Sequence, residues 1–169
     1  HTLSYSVTGV TTCALPIFIQ SKNGDTPRFQ AFSHAVQMMF CLGSSLIVAL
    51  GAYPMARIFS VPELTWAFAL LSVVPLARGA LHLDVMRFKR RFNYLPSVLM
   101  EFSSQGAATI AAWPLAVWLK DFRAVLLIML GKEALCLAIS HLLAKRPYKW
   151  AWDARQVRQM LLFGWPLLL

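Results

Sequence analysis

The sequence is short of charge, and shorter still of acids. Only 14% of its 169 residues are Asp, Glu, Lys or Arg, with seven acidic residues against sixteen Lys and Arg. Soluble domains carry about 25% charged and about 45–50% apolar residues, whereas 58% of this chain is hydrophobic. A core of this size cannot hide so much apolar side chain, so an ordinary soluble fold is excluded. Cysteine is scarce as well. Cys41 and Cys136 lie inside apolar runs with no CxxC pair and no His at ligand spacing, which reads as small buried hydrophobes. There is no phosphate-cradling glycine loop, low-complexity tract or clear repeat. His34, His82 and His141 fall on separate apolar runs, with no nucleophile or paired carboxylate beside them. These absences predict no catalytic residue, no metal and no cofactor: the chain is not expected to be an enzyme.

What the sequence does have is long apolar runs. Residues 29–56 contain no charged residue, and a hydrocarbon core needs about 20 apolar residues to cross. Asp25-Thr26-Pro27 supplies an N-cap and a first-turn proline. A second span is predicted at 62–86, interrupted by Arg78 and opened by Ser60-Val61-Pro62-Glu63, which has capping-box spacing. A third covers 94–119, opened by Asn93 and broken by Glu101. A fourth covers 123–144, opened by Asp121 and holding Lys132, Glu133 and His141. Asp153 to Gln156 caps the start of another at 157–169. Pro54, Pro75 and Pro114 predict kinks whose freed carbonyls neighbours must satisfy. Gly43-Ser44-Ser45 and Ser103 to Ala108 mark close helix approach. The expected fold class is all-α, a polytopic transmembrane helical bundle.

The cations fall between these runs. Lys22 and Arg28, then Arg87, Lys89, Arg90 and Arg91, then Lys145, Arg146, Lys149, Arg155 and Arg158 make eleven on one side. Arg57, Lys120 and Arg123 make three on the other. A nucleic-acid module would gather its cations on one solvated face, so nucleic acid is not an expected partner. The asymmetry places the richer side in the cytoplasm. Arg87, Lys89, Arg90 and Arg91 read as a topology anchor in a loop, attracted to anionic headgroups by about 1 kcal/mol per cation. The chain is expected to cross a membrane several times. Residues 1–17 differ in kind. "TGVTTCALPI" resembles the translation of a common sequencing adaptor, departing at Thr11, so 1–17 are expected to be non-native and 18–169 to be the membrane domain.

From Phe18 onward five pieces, in order, carry a resemblance: "FIQSKNGD" (18–25), "ARIFSVPEL" (56–64), "MRFKRRFNYLPSVLMEFSS" (86–104), "AKRPYKW" (144–150) and "VRQMLLFGWPLLL" (157–169). Their order and spacing resemble the oligosaccharide flippases of the multidrug/oligosaccharidyl-lipid/polysaccharide (MOP) exporter superfamily. The resemblance implies that 18–169 are part of a transporter in a bacterial cytoplasmic (inner) membrane, helices three to six of about twelve in an N-terminal lobe, with the richer-charged loops cytoplasmic. It implies movement of undecaprenyl-diphosphate-linked glycans outward by alternating access, for O-antigen, capsule or exopolysaccharide synthesis. The implied partners are a lipid-linked oligosaccharide, the phospholipid bilayer, and a polysaccharide polymerase or glycosyltransferase. A drug/cation antiporter of the same superfamily, a membrane-embedded transferase and a purely structural subunit are the rival readings.

Ionisable residues inside a bilayer cost about 2.5–3.5 kcal/mol on insertion scales and are functional candidates by default. Arg78, Glu101, Lys132 and Glu133 qualify, with His34, Gln37, Gln105 and His141 as polar companions. Arg78 or Lys132 could meet a diphosphate, and Glu101 could couple proton or cation movement. The competing structural role is an internal ion pair of Glu101 with Arg78, or with Lys132. The small run beside Glu101 predicts that its carboxylate faces the bundle and pairs with Arg78 first. His82 and Asp84 are expected at the solvated interface.

Overall fold

The computed structural model describes residues 26–151. The adaptor-like segment, the 153–156 cap, the run at 157–169 and the cations Lys22, Arg155 and Arg158 lie outside the described residues. Every regular element among the described residues is helical.

Helix α1 (Pro27–Ile58) begins as its sequence predicts. Thr26 is the N-cap, its hydroxyl accepts the Phe29 N–H at 3.3 Å, and Pro27 occupies the first turn. Its end corrects an expectation. Ser60 does not open the next helix as a capping box but closes α1. It takes a left-handed backbone (φ 59°), with Ser60 N–H on the Arg57 carbonyl and Val61 N–H on the Ala56 carbonyl. That paired closure is the Schellman arrangement, which satisfies carbonyls the helix leaves orphaned.

The second span is not one helix. A 3₁₀ turn (Pro62–Leu64), α2 (Thr65–Leu70) and α3 (Val73–Gly79) follow in line, and α4 (Asp84–Arg90) then bends away by 55°. Pro75 accounts for the first interruption: it has no N–H for the Leu71 carbonyl, which takes the Val74 N–H at 3.1 Å instead. The "MRFKRRF" stretch, expected as a loop, is therefore mostly helix α4. Helices α5 (Leu95–Leu119) and α6 (Arg123–Leu142) complete the bundle, and the helical assignment runs on through Pro54 and Pro114.

By length and apolarity α1 and α6 can each cross a membrane, and the bent 62–90 segment is apolar enough for a broken span or a re-entrant loop. Helix α5 has the length, but Glu101, Ser103, Ser104 and Gln105 dilute its apolar character. By composition it falls short of these, although its 25 residues match the run expected at 94–119. The outward faces suit lipid: Leu42, Leu46, Ile47 and Leu50 of α1 are exposed, as are Ile110 and Trp113 of α5. A soluble monomer would not leave such surface open to water.

Packing order differs from chain order. Helix α1 packs on α2 and α3, α3 packs on α6, and α6 packs on α5. Helix α6 thus lies between α3 and α5. In the two small-residue runs the contacts are made by Ser45, Ser104 and Ala108 and not by the glycines. A Cβ on Gly43 or Gly106 would meet nothing within 4 Å, whereas one on Gly79 would meet the Cys41 Cβ at 2.7 Å. Cys41 and Cys136 are buried free thiols, as read from the sequence.

Candidate functional site

The packing order decides which charges meet. Arg78, near the end of α3, faces α6 and donates from Nη2 to Glu133 Oε1 at 2.8 Å and from Nε to Glu133 Oε2 at 3.2 Å. Two parallel bonds between a guanidinium and a carboxylate hold both groups in register. The Glu133 side chain is 9% exposed, while the Arg78 side chain keeps 35%.

This corrects the predicted partner. Glu101 is exposed on α5 and forms no ion pair with a described residue. The face of α5 that meets α6 is built from Ser97, Met100, Ser104 and Ala108, all buried. Those positions recur every three or four residues, and each intervening residue turns about 100° away. Glu101 and Gln105 follow members of the stripe by one position and so leave the interface. Lys132, one residue before Glu133, is half-buried and forms no ion pair with a described residue either.

Around Arg78 the broken span exposes backbone that lipid cannot satisfy. Side chains from neighbouring helices supply the partners. Ser45 Oγ donates to the Ser72 carbonyl at 2.7 Å, and Gln37 Nε2 donates to the Arg78 carbonyl at 2.8 Å. His141 Nε2 lies 3.0 Å from the Ala80 carbonyl, and Ser140 Oγ accepts the His82 N–H at 3.2 Å. Gln37 and His141, singled out as polar companions, thus serve as caps for an interrupted neighbour. Ser45 and Ser140 were missed, because small hydroxyls in apolar runs give no signal until the break they fill is known.

Beyond the break lies the basic end of the bundle, and it too departs from expectation. His82 and Asp84 are buried, not solvated. Asp84 forms an ion pair with Arg87, whose Nε lies 2.7 Å from Oδ1 and whose Nη2 donates to Oδ2 at 3.4 Å, and Oδ2 also accepts the Lys145 N–H at 2.7 Å. Arg87, predicted as a solvated anchor, is therefore buried against a carboxylate. Lys89 and Arg90 are half-buried and Arg91 is exposed.

The three histidines that the sequence keeps on separate spans converge here. Ring centroids lie 5.0 Å apart for His34 and His82, and 5.4 Å apart for His82 and His141. Tyr148, in the segment after α6, sits 4.3 Å from His34, 5.6 Å from His82 and 5.5 Å from His141. Burial pushes the Tyr148 phenol up, keeping it neutral at physiological pH. Among the described residues no group of His, Cys, Asp and Glu side chains is placed to hold a metal ion.

At the opposite end, Trp66 and Phe122 rings lie 5.9 Å apart and Arg123 sits 5.8 Å over Trp66. The segments about 60–66 and 120–123 therefore share one end, and 84–91 shares the other with 145–151, matching the grouping read from the cations. Residues 12–169 match a family model described as polysaccharide biosynthesis protein. The match takes in residues 12–17 of the segment set aside as adaptor-like. No curated protein and no solved structure matches the chain.

Proposed function

The chain belongs to the polysaccharide biosynthesis protein family, and from that membership we propose that it is part of an inner-membrane flippase. Its cargo is an undecaprenyl-diphosphate-linked oligosaccharide carried from the cytoplasmic to the outer leaflet for surface polysaccharide synthesis. The basic end, with Arg87–Arg91 and Lys145–Lys149, faces the cytoplasm. A polymerase or glycosyltransferase acts on the same lipid-linked chains as a partner.

The observation that carries this reading is Arg78. A guanidinium at membrane depth is costly, and this one is fixed by Glu133 on a side chain that stays partly exposed. A guanidinium pairs with phosphate oxygens in the geometry it uses for carboxylate, so Arg78 is suited to receive a passing diphosphate. Glu101 and Gln105, on an outward face of α5, add a second polar surface that a transport cavity would solvate.

The test is direct. The protein containing this segment is reconstituted in vesicles with a fluorescent lipid-linked oligosaccharide, and loss of protection from an external reductant is followed. Protein-dependent flipping is expected. Proton-driven efflux of a cationic dye with no glycan-lipid flipping would replace the flippase with an antiporter.

A further inference from the structure

We propose that His34, His82, His141 and Tyr148 form a proton-operated latch, which holds residues 143–151 across the basic end while the rings are neutral and releases them on protonation. The segment after α6 folds back as a strap. Lys145 N–H bonds the Asp84 carboxylate at 2.7 Å, Arg146 Nη1 reaches Gln30 Oε1 at 3.2 Å, and Ala151 N–H meets the Ala31 carbonyl at 3.3 Å. Between these anchors the Tyr148 ring inserts among the three imidazoles, one each from α1, the α3–α4 break and α6. The strap therefore ties together three spans that otherwise meet only through side-chain contacts.

Neutral rings suit this arrangement and charged ones do not. His34 is buried, and neither of its ring nitrogens has a hydrogen-bond partner. Its neighbours on α6 and the break are His141 and His82. The only acid facing the cluster among the described residues is Asp84, already engaged by Arg87 and by the Lys145 N–H. The charged groups around it are cations: Arg87 from α4, and Lys145 and Arg146 from the strap. Imidazole is the side chain whose ordinary range straddles mildly acidic pH. His141 is exposed, giving protons a way in, and His82 lies next to it. A second imidazolium about 5 Å from the first would meet like charge with no free carboxylate to offset it.

The latch is independent of the transported cargo, so it is read without a transport assay. Hydrogen–deuterium exchange of the peptide covering 143–151, in the full chain in lipid nanodiscs and corrected for intrinsic rates, is compared at pH 8 and pH 5.5. Protection is expected to fall at least about tenfold at the lower pH, while α5 peptides stay unchanged. His141→Gln keeps a donor for the Ala80 carbonyl but cannot be charged, and should reduce the change to about threefold. Tyr148→Ala should leave the strap unprotected at both pH values. A parent strap with the same protection at pH 8 and 5.5 would overturn the proposal. So would a His141→Gln chain with the parent's full pH response.

Discussion

Two glutamates sit at comparable depth on neighbouring helices and meet opposite fates. Glu101 lies about 9 Å along α5 from its basic end, and Glu133 lies about 13 Å along α6 from the same end, at about 1.5 Å per residue. Glu133 is buried and doubly bonded to Arg78, whereas Glu101 is exposed with no ion partner among the described residues. Local composition does not separate them, since both follow apolar stretches and both lie near small residues. Helix order does, because α6 stands between α3 and α5 and claims the arginine. In a membrane bundle, the partner of a charge is fixed by which helix packs next to it and by helical phase.

The largest effect that sharpens this contrast comes from removing Arg78. Arg78→Met leaves Glu133 charged and buried, and breaking such a pair costs about 3–5 kcal/mol. The opposite change, Glu133→Met, should cost less, because the partly exposed Arg78 side chain can be solvated by water or headgroups. Replacing both with Met should recover much of the loss, since apolar isosteres often equal a buried pair. Thermal unfolding followed by size-exclusion monodispersity measures all three. A double variant no more stable than Arg78→Met would break the pairing account.

Next in size is the seam that lets α3 reach α6. A Cβ on Gly79 would stand 2.7 Å from the Cys41 Cβ and 3.2 Å from Met38 Sδ. Gly79→Ala must push α1 and α3 apart, an overpacking that costs about 1–3 kcal/mol. Cys41→Ala would not relieve it, because the clashing Cβ remains, and Cys41→Gly would. Rescue of Gly79→Ala by Cys41→Gly, read as recovered melting temperature, is the expected outcome. Gln37→Leu belongs to the same range, at about 1–3 kcal/mol, since it removes the side-chain donor shared by the Arg78 and Gly79 carbonyls and leaves Arg78 only the Leu81 N–H at 3.3 Å.

The two regions also show how far the sequence could be read. Span lengths were legible, because lipid sets them: 29–56, 94–119 and 123–144 became Pro27–Ile58, Leu95–Leu119 and Arg123–Leu142. The Thr26-Pro27 start was legible because its signal is local. The break at Pro75 was half-legible: proline announces a kink, but not that Ser45 waits on α1 to bond the Ser72 carbonyl, and nothing local announces the second break, where Gln37 and His141 bond the Arg78 and Ala80 carbonyls. The convergence of His34, His82 and His141 was not legible at all. Each is an isolated polar residue on its own run, and only the packing of α1, the α3–α4 break and α6 brings the His82 ring to 5.0 Å from His34 and 5.4 Å from His141. Glu101 was misplaced because a six-residue small stretch was read as one face, when a helix spreads six residues around more than its full turn.

The smallest expected change in stability, and the one that discriminates most, is Glu101→Gln. If Glu101 were a structural partner, neutralising it would strip a bond from the bundle and lower its melting temperature. Its carboxylate has no ion pair to lose among the described residues, and Ser104 bonds only its backbone carbonyl, at 3.1 Å. Substitutions away from packing and networks usually stay within about 0.5 kcal/mol, so the melting temperature should scarcely move. Transport is where an effect is expected. An exposed carboxylate at this depth is tolerable only in a polar surround, and in the proposed flippase that surround is the wetted path of the cargo. Flipping should therefore fall in Glu101→Gln, with the folded yield unchanged, while Arg78→Met loses both. A Glu101→Gln chain that melts several degrees lower would return Glu101 to a structural role. One with unchanged stability and unchanged flipping would take the α5 face out of the transport path and leave Arg78 to carry the reading alone.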